Sequence, residues 1–136
     1  MTPASFVSRA GSHLIDAVAV PATVLVLMIA LVRTRHLLAA AGLFLLGTAF
    51  FLLFLLWNSG YRQGRTGQSL GRRAQGTRLV GAATGRPIGF GRAVLRIAAH
   101  LLDLLPFGVG YLWPLWDERR QTFADKVCGT LVVVAD

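Results

Sequence analysis

Two long apolar stretches, joined by only four residues, constrain this chain more than any other feature of its sequence. Residues 11–32 contain a single ionised side chain, Asp16, and residues 37–57 contain none. About 20 apolar residues in a helix cross the roughly 30 Å hydrocarbon core of a bilayer. The second stretch has no polar face, which is typical of a helix in contact with lipid. The sequence therefore predicts two transmembrane helices that form a tight antiparallel hairpin.

A cleaved secretory leader is the competing interpretation of the first stretch. Its apolar run is longer than the core of a leader, Asp16 interrupts it, and a second apolar stretch follows after four residues. We therefore expect the first stretch to remain in the protein as a membrane anchor.

The charges of the chain are few and mostly positive. Charged residues make up 15% of the 136, and fourteen basic residues stand against six acidic ones, whereas about 25% of an ordinary soluble domain is charged. Residues 58–96 hold eight arginines and no acid, and the turn between the two stretches holds two arginines. Because cytoplasmic loops are enriched in Lys and Arg, we expect the N-terminus and this basic segment to be cytoplasmic.

The sequence after residue 57 is rich in glycine and arginine and predicts a small cytoplasmic β element. Its residue types indicate a strand at 77–82, a turn at 84–87 and a weak return strand at 88–90. The β-branched run at 130–135 indicates another strand, and 77–82 is its natural partner.

Residues 92–105 have a helical period, with Arg92, Arg96 and Asp103 on one side and leucines on the other. Such a helix either lies at the membrane interface or turns its polar stripe toward other helices. The apolar run 106–116 is too short to cross a bilayer alone, so we expect a helical hairpin that dips into the membrane and returns, with a third span as the alternative.

These elements together predict a mainly α-helical membrane protein in a single domain, residues 1–136. Its parts are a two-helix transmembrane hairpin (11–32 and 37–57), a basic cytoplasmic segment (58–91), an amphipathic, re-entrant or third membrane helix (92–116) and a cytoplasmic tail (117–136).

The exposed arginines of the cytoplasmic parts predict contact with anionic lipid headgroups, worth about 1 kcal/mol per side chain near the surface, or with a protein partner. Nucleic-acid binding is not expected, because no aromatic residues alternate with the arginines to stack bases. The residues expected to make lipid or partner contacts are Arg62, Arg65, Arg72, Arg73, Arg78, Arg119 and Arg120.

Arg9, His13 and Asp16 share one face of the first helix because of their i, i+4, i+7 spacing. A carboxylate within a membrane is costly unless it is protonated, paired or solvated. Three interpretations stay open: a structural cluster in which Asp16 bonds to Arg9, His13 or an arginine of the basic half; a proton or cation site in which Arg9 tunes the pKa of Asp16; and contact with a partner subunit.

No nucleophile motif, catalytic triad or metal-ligand spacing occurs in the sequence. The sequence therefore predicts no enzyme, no cofactor and no metal site. The single cysteine, Cys128, excludes an internal disulfide.

Three motifs resemble the RDD family of bacterial membrane proteins, which is named for one arginine and two aspartates. Arg9 opens the first helix and Asp16 follows within it, as in the family. Residues 67–80 are similar to the family's central glycine–arginine motif, and residues 119–133 to its closing segment. By this resemblance Arg9, Asp16 and Asp125 are the family's motif residues, and Asp103 is the other candidate for the second aspartate.

The resemblance implies a multi-pass protein of the bacterial inner membrane and leaves its activity open. The first hypothesis is a non-catalytic accessory or partner-binding subunit of a larger membrane assembly, because two spans cannot enclose a pathway and small helix residues permit close packing with another chain or a second copy. Those small residues are Ala17, Ala19, Ala22, Ala39, Ala40, Gly42 and Gly47. The alternative is an oligomeric cation/proton antiporter that uses Asp16, since some family members are reported to have that activity.

Overall fold

The computed structural model describes residues 1–34 and 36–135 and is mainly helical. Two irregular helical segments, a π-helix at Leu56–Arg62 and a 3-10 turn at Trp113–Leu115, continue neighbouring α-helices. The α-helices are α1 (Phe6–Ala17), α2 (Ala19–Arg33), α3 (Leu37–Leu55), α4 (Gln63–Thr66), α5 (Leu70–Ala74), α6 (Phe90–Leu104), α7 (Val109–Leu112) and α8 (Phe123–Cys128), and the strands are β1 (Thr77–Gly81) and β2 (Thr130–Val134).

Two helical runs, Phe6–Arg33 and Leu37–Thr66, are long and apolar enough to cross a membrane. This confirms the predicted pair of apolar helices, although each run extends beyond its predicted bounds. At 1.5 Å per residue, a run of 28 residues is about 42 Å long and exceeds the hydrocarbon core. The ends of these helices contact the basic half of the chain, by which we mean residues 58–136. The two helices pack together where Gly47 lies against Leu27.

The two strands pair antiparallel, with Thr77 opposite Val134 and Gly81 opposite Thr130, so the predicted pairing is confirmed. The N-terminal segment joins the same sheet: Pro3 forms a bridge with Val133, and the Ala4 amide donates to the Val132 carbonyl at 2.9 Å. The beginning, middle and end of the chain thus meet at one place, around a small apolar core that includes Leu79, Val132 and Ala93.

The predicted return strand at residues 88–90 is wrong. Ile88 is buried in the core of the sheet, and Gly89 has a φ of +81° and precedes the first residue of α6, Phe90. Glycine adopts this backbone conformation without a steric penalty. The chain therefore turns into a helix here, and the strand partner of β1 is β2.

Helix α6 has its polar side inward and its apolar side outward. Ala93, Arg96 and Asp103 are buried, whereas Leu101 and Leu104 are exposed. This is the second of the two orientations that the sequence leaves open for this helix. The following helical segment, Val109–Leu115, is bent from α6 by 105°, which is compatible with the predicted dip and return of this part of the chain.

Candidate functional site

A buried ion cluster joins both ends of the chain. The carboxylate of Asp125, which is fully buried, accepts hydrogen bonds from Arg96 Nε at 2.9 Å and Nη2 at 2.7 Å. Arg9 Nη2 donates to the other carboxylate oxygen of Asp125. Because the two arginines lie on α1 and α6, a single aspartate holds these two helices and α8 together.

Local structure fixes the carboxylate of Asp125 in place. Thr122 is the N-cap of α8: its Oγ1 accepts from the Asp125 amide at 3.1 Å, and its own amide donates to Asp125 Oδ2 at 3.2 Å. This reciprocal arrangement is a capping box. Thr130 Oγ1 adds a further hydrogen bond to Oδ1 at 2.9 Å.

Charge keeps Asp125 ionised at this buried position. Burial alone raises its pKa, but the charges and hydrogen bonds of Arg96 and Arg9 outweigh burial and hold the pKa well below its ordinary value. Arg9 Nη1 also donates to the Arg120 carbonyl at 2.6 Å. Two guanidinium groups thus share one carboxylate, so the cluster satisfies the hydrogen bonding of Asp125 and carries one net positive charge.

Asp16 lies in a separate polar contact between α1 and the segment that follows α3. Its Oδ1 accepts from Asn58 Nδ2 and from the Gly71 amide, both at 2.8 Å. Its Oδ2 accepts from Ser69 Oγ at 2.6 Å. Three uncharged donors thus bind this carboxylate and fix α1 against the π-helix and α5.

Asp103, which is fully buried like Asp125, binds the ring of His100 and the beginning of α8. His100 Nδ1 lies 2.6 Å from Asp103 Oδ2, and the Ala124 amide donates to Oδ1 at 3.2 Å. The His100 ring stacks on Tyr111 at 5.5 Å between centroids and lies 5.7 Å from the His13 ring. His100 therefore joins Asp103 to an aromatic cluster that also contains Tyr111 and His13.

A cavity of about 270 Å³ lies among these groups. Its polar lining includes Asp16, Arg72 and Arg96, together with His13 and His100. Phe51, Phe54 and Leu55 of α3 supply an apolar side. The cavity therefore combines charged groups with the side chains of a membrane-crossing helix.

Arg9 and Asp16 both lie on α1, but they bond to different partners. Arg9 bonds to Asp125 rather than to Asp16, and Asp16 bonds to neutral donors rather than to an arginine. Asp125, the preferred second motif aspartate, is the one that pairs with the motif arginine. The possible proton or cation role of Asp16 stays a prediction.

The arginines expected at a lipid or partner surface fall into two groups. Arg65, Arg73, Arg119 and Arg120 are exposed, and Arg62 and Arg78 are half-buried. Arg72 does not lie at an exposed surface, because its side chain is only 2% exposed, and its contact with a lipid or partner stays a prediction. The sequence places it in a polar segment, but α5 packs against α1 and turns this side chain inward.

Several residues of the site carry no recognisable sequence motif. Asn58, Ser69 and Gln63 are buried polar residues that bond to Asp16 or Arg72. The available signal is weak: Asn58 is the first polar residue after a long apolar run, and such a residue is usually assigned to the membrane boundary.

The two long apolar helices and the buried polar centre define a small helical membrane protein whose basic half is held together by arginine–aspartate pairs. A family model described as the RDD family matches residues 3–129. The chain therefore belongs to the RDD family, as its motifs predict, and it is a bacterial membrane protein.

Two mycobacterial relatives are similar to part of the chain. It is 49% identical over 78 residues to the "Proline-rich antigen" of Mycobacterium leprae, which covers 57% of this chain and 31% of that protein. It is 49% identical over 82 residues to the "Proline-rich antigen homolog" of Mycobacterium tuberculosis H37Rv, which covers 60% and 34%. The chain thus spans about a third of the length of the curated relatives it matches. No solved structure matches it.

Proposed function

We propose that this protein is a non-catalytic subunit of a larger membrane assembly and that its apolar hairpin binds a transmembrane helix of a partner protein. The observation that carries the proposal is the uncovered outer face of α2 and α3. Leu38, Leu45 and Leu53 of α3 are between 67% and 88% exposed. Gly42 leaves the surface of α3 without a side chain at its position, and a methyl group placed there would meet no atom of the described residues within 4 Å.

The carboxylates that join the helices support the same proposal. The carboxylates of Asp16, Asp103 and Asp125 each accept hydrogen bonds that tie one helix to another. Their first role is therefore to hold the basic half together. Small residues let helices approach closely in a membrane, where packing rather than the hydrophobic effect drives association.

The relatives add a further argument. The matched region makes up only 31% and 34% of the two mycobacterial proteins. The domain is therefore joined to further chain in those proteins, which is the arrangement expected of a membrane module that serves other components.

Purification from native membranes in a mild detergent tests the proposal with three forms of the chain. We expect the wild type to bring down one protein in a fixed ratio, Gly42→Leu to lose it, and Gly91→Leu to retain it. Gly91 is the control because a methyl group there also meets no atom within 4 Å, but it lies on α6 outside the hairpin. A wild type that purifies alone as a monomer contradicts the proposal, and a partner retained by Gly42→Leu contradicts the proposed contact.

A cation/proton antiporter is the second candidate, and one observation favours it: Asp16 and His13 line the cavity beside α3. An oligomer would be required to enclose a pathway around Asp16. Proton-coupled Na⁺ flux in proteoliposomes, lost in Asp16→Asn and retained in Glu118→Gln, would support this function. Absence of flux in the wild type, or flux that survives Asp16→Asn, would exclude it.

We also propose that the N-terminus, the basic half and the C-terminus face the cytoplasm across the inner membrane. Pro3 and Val133 lie in one sheet with β1, so these three segments share a side, and the eight arginines of residues 58–96 favour the cytoplasm. Impermeant thiol labelling of Thr2→Cys in a Cys128→Ala background should require permeabilised cells. Labelling of intact cells would reverse the orientation.

A further inference from the structure

Arg72 is a buried guanidinium that the protein leaves largely without hydrogen-bond partners. Its Nε donates to Gln63 Oε1 at 3.1 Å, and within the described residues this is its only side-chain hydrogen bond. Nη1 is buried and has no hydrogen-bond partner among the residues that the structure describes. Burial and the nearby charge of Arg96 lower its pKa to about 9. A buried donor that has no acceptor costs about 1–3 kcal/mol, and more when it is charged.

His100 is a second group in the same cavity with unused bonding capacity. Its Nδ1 is occupied by Asp103, whereas its Nε2 is buried without a partner among the residues that the structure describes. Arg72, Arg96 and His100 all line the cavity. When the His100 ring is neutral and donates from Nδ1 to Asp103, its Nε2 is an acceptor. The donor and the positive charge that the described residues leave unused at this wall are therefore those of Arg72.

The charges around the cavity leave room for one negative charge. The buried arginines are Arg9, Arg72 and Arg96, and the aspartates around them are Asp16, Asp103 and Asp125. These three positive and three negative groups balance. Of these six groups only Arg72, Arg96 and Asp16 line the cavity, so its wall carries one net positive charge that a bound anion would compensate.

We propose that this cavity binds one phosphate-bearing anion, which accepts hydrogen bonds from the terminal nitrogens of Arg72. The planar guanidinium group matches phosphate oxygens with two parallel hydrogen bonds. Arg96 adds positive charge at the same wall. Asp16 is the carboxylate that lines the cavity, and its oxygens already accept hydrogen bonds from three donors, Asn58, Ser69 and Gly71.

The lining of the cavity explains why phosphate is the chemistry of choice. Phe51, Phe54 and Leu55 belong to the apolar run of α3, and Arg72 and Asn58 belong to the polar segment that follows it. The site therefore combines polar and membrane-facing side chains, as the headgroup region of a phospholipid does. The same donors would also bind free phosphate. A cavity of 270 Å³ is large enough for that ion, since a water molecule takes up only about 30 Å³ of liquid.

Two binding measurements on the full chain in a non-ionic detergent distinguish the two sources. One titrates inorganic phosphate against chloride, and the other adds phosphatidylglycerol against phosphatidylcholine; the midpoint of thermal unfolding is followed in both. We expect a saturable rise in at least one arm. A rise with inorganic phosphate alone assigns the site to a free anion, a rise with phosphatidylglycerol alone assigns it to a lipid headgroup, and a rise in both means that the site accepts either.

Arg72→Gln is the test variant, and Arg73→Gln is its matched control. Both remove one charge from α5, but Arg73 is exposed whereas Arg72 is buried at the cavity. We expect Arg72→Gln to weaken binding about 10- to 100-fold, the effect of losing a charge-assisted hydrogen bond, and Arg73→Gln to change it little. No rise in either arm, or equal weakening by both variants, would overturn the site, since equal weakening indicates general attraction to a basic surface.

A measurement on the wild type guards against a variant that does not fold. The guanidinium ¹⁵N resonances of Arg72, assigned with Arg72→Lys, should shift as the anion is added, while those of Arg73 stay in place. Arg72→Lys keeps the charge without the two-nitrogen fork and should bind with intermediate affinity. Unshifted Arg72 resonances at saturating anion would refute the proposal independently of any substitution.

Discussion

The hairpin and the basic half of this protein have opposite distributions of polarity. In the hairpin, α2 and α3 are apolar on every side and contact each other along one seam. The basic half packs against α1, and the interior that they form holds the buried side chains of Arg9, Arg96 and Asp125. The outer face of α6 carries leucines.

This difference shows where the structure is specified. Apolar side chains gain little by packing against each other when lipid is the alternative, whereas a polar group away from water must find its particular partner. The polar centre therefore determines how α1, α6 and α8 are arranged, and the hairpin contributes insertion and an outer surface. Substitutions in the two regions should differ accordingly.

The largest loss in the free energy of unfolding is expected from Asp125→Asn. A neutral amide leaves two buried guanidinium groups uncompensated, which costs about 3–5 kcal/mol. Chemical unfolding in detergent micelles should show most of the stability lost, or no folded protein at all. Glu118→Gln, which removes an exposed acid, is the control and should behave as the wild type. Equal stability of both variants would show that the ion cluster does not hold this half together.

Acid should weaken the same cluster in the wild type. The pKa of Asp125 is lower in the folded protein than in the unfolded chain, so the unfolded state binds the proton more readily at acidic pH. Its contribution is complete above the ordinary carboxyl pKa of about 4 and is lost progressively below it. The thermal unfolding midpoint of the wild type should decrease as the pH falls below about 4. It should decrease less steeply in Asp125→Asn, which has no carboxylate to protonate at this position.

Gly71→Ala should disturb the contact between α5 and α1 by steric overlap. A methyl group at Gly71 would collide with the Ser12 carbonyl oxygen, and backbone atoms cannot move aside as a flexible side chain does. We expect a loss of about 3 kcal/mol, at the upper end for an overpacked contact. Gly91→Ala in α6 meets no atom and should be neutral or slightly stabilising, because alanine favours the helix. Similar results for the two would contradict this packing.

Asp16→Asn should have a smaller effect, because the side-chain oxygen of asparagine still accepts from Asn58 or Gly71. The hydrogen bond from Ser69 loses its charged acceptor, and we expect a loss of about 1–2 kcal/mol. The folded protein should nevertheless be obtained, so that transport can be measured on it. A loss as large as that of Asp125→Asn would mean that Asp16 is as strongly coupled as the ion cluster.

The sequence predicts the parts of this fold that depend on local pattern. Long apolar runs give the two helices, and β-branched residues give the paired strands. The Arg9–Asp125 contact joins residues 116 positions apart, so spacing carries no information about it; only the family motif points to both residues.

Asp16 shows that helical spacing does not predict the hydrogen-bond partners of a side chain. Its helical face suggests Arg9 and His13 as partners, yet its bonds go to Asn58 and Ser69, which are 42 and 53 positions away. Helical periodicity identifies which residues share a face, but the packing of α5 and the π-helix against α1 decides which partner that face meets. The same packing buries Arg72, which composition alone assigns to the surface.

The smallest effect is expected from Leu45→Ala on the outer face of α3, where the side chain is 68% exposed. In lipid nanodiscs either side chain, leucine or alanine, contacts acyl chains at this position. The change in the free energy of unfolding should therefore stay within about 0.5 kcal/mol. Leu79→Ala is the matched substitution in the basic half, where the leucine is fully buried, and should cost about 2–5 kcal/mol. Denaturant unfolding of the isolated chain compares the two substitutions directly.

If Leu45→Ala is neutral for the isolated chain but weakens a purified complex, this face is covered by a partner. A loss comparable to that of Leu79→Ala in the isolated chain would instead mean that another part of the same protein, or a second copy, packs on the hairpin, and the contrast between the two regions would not hold.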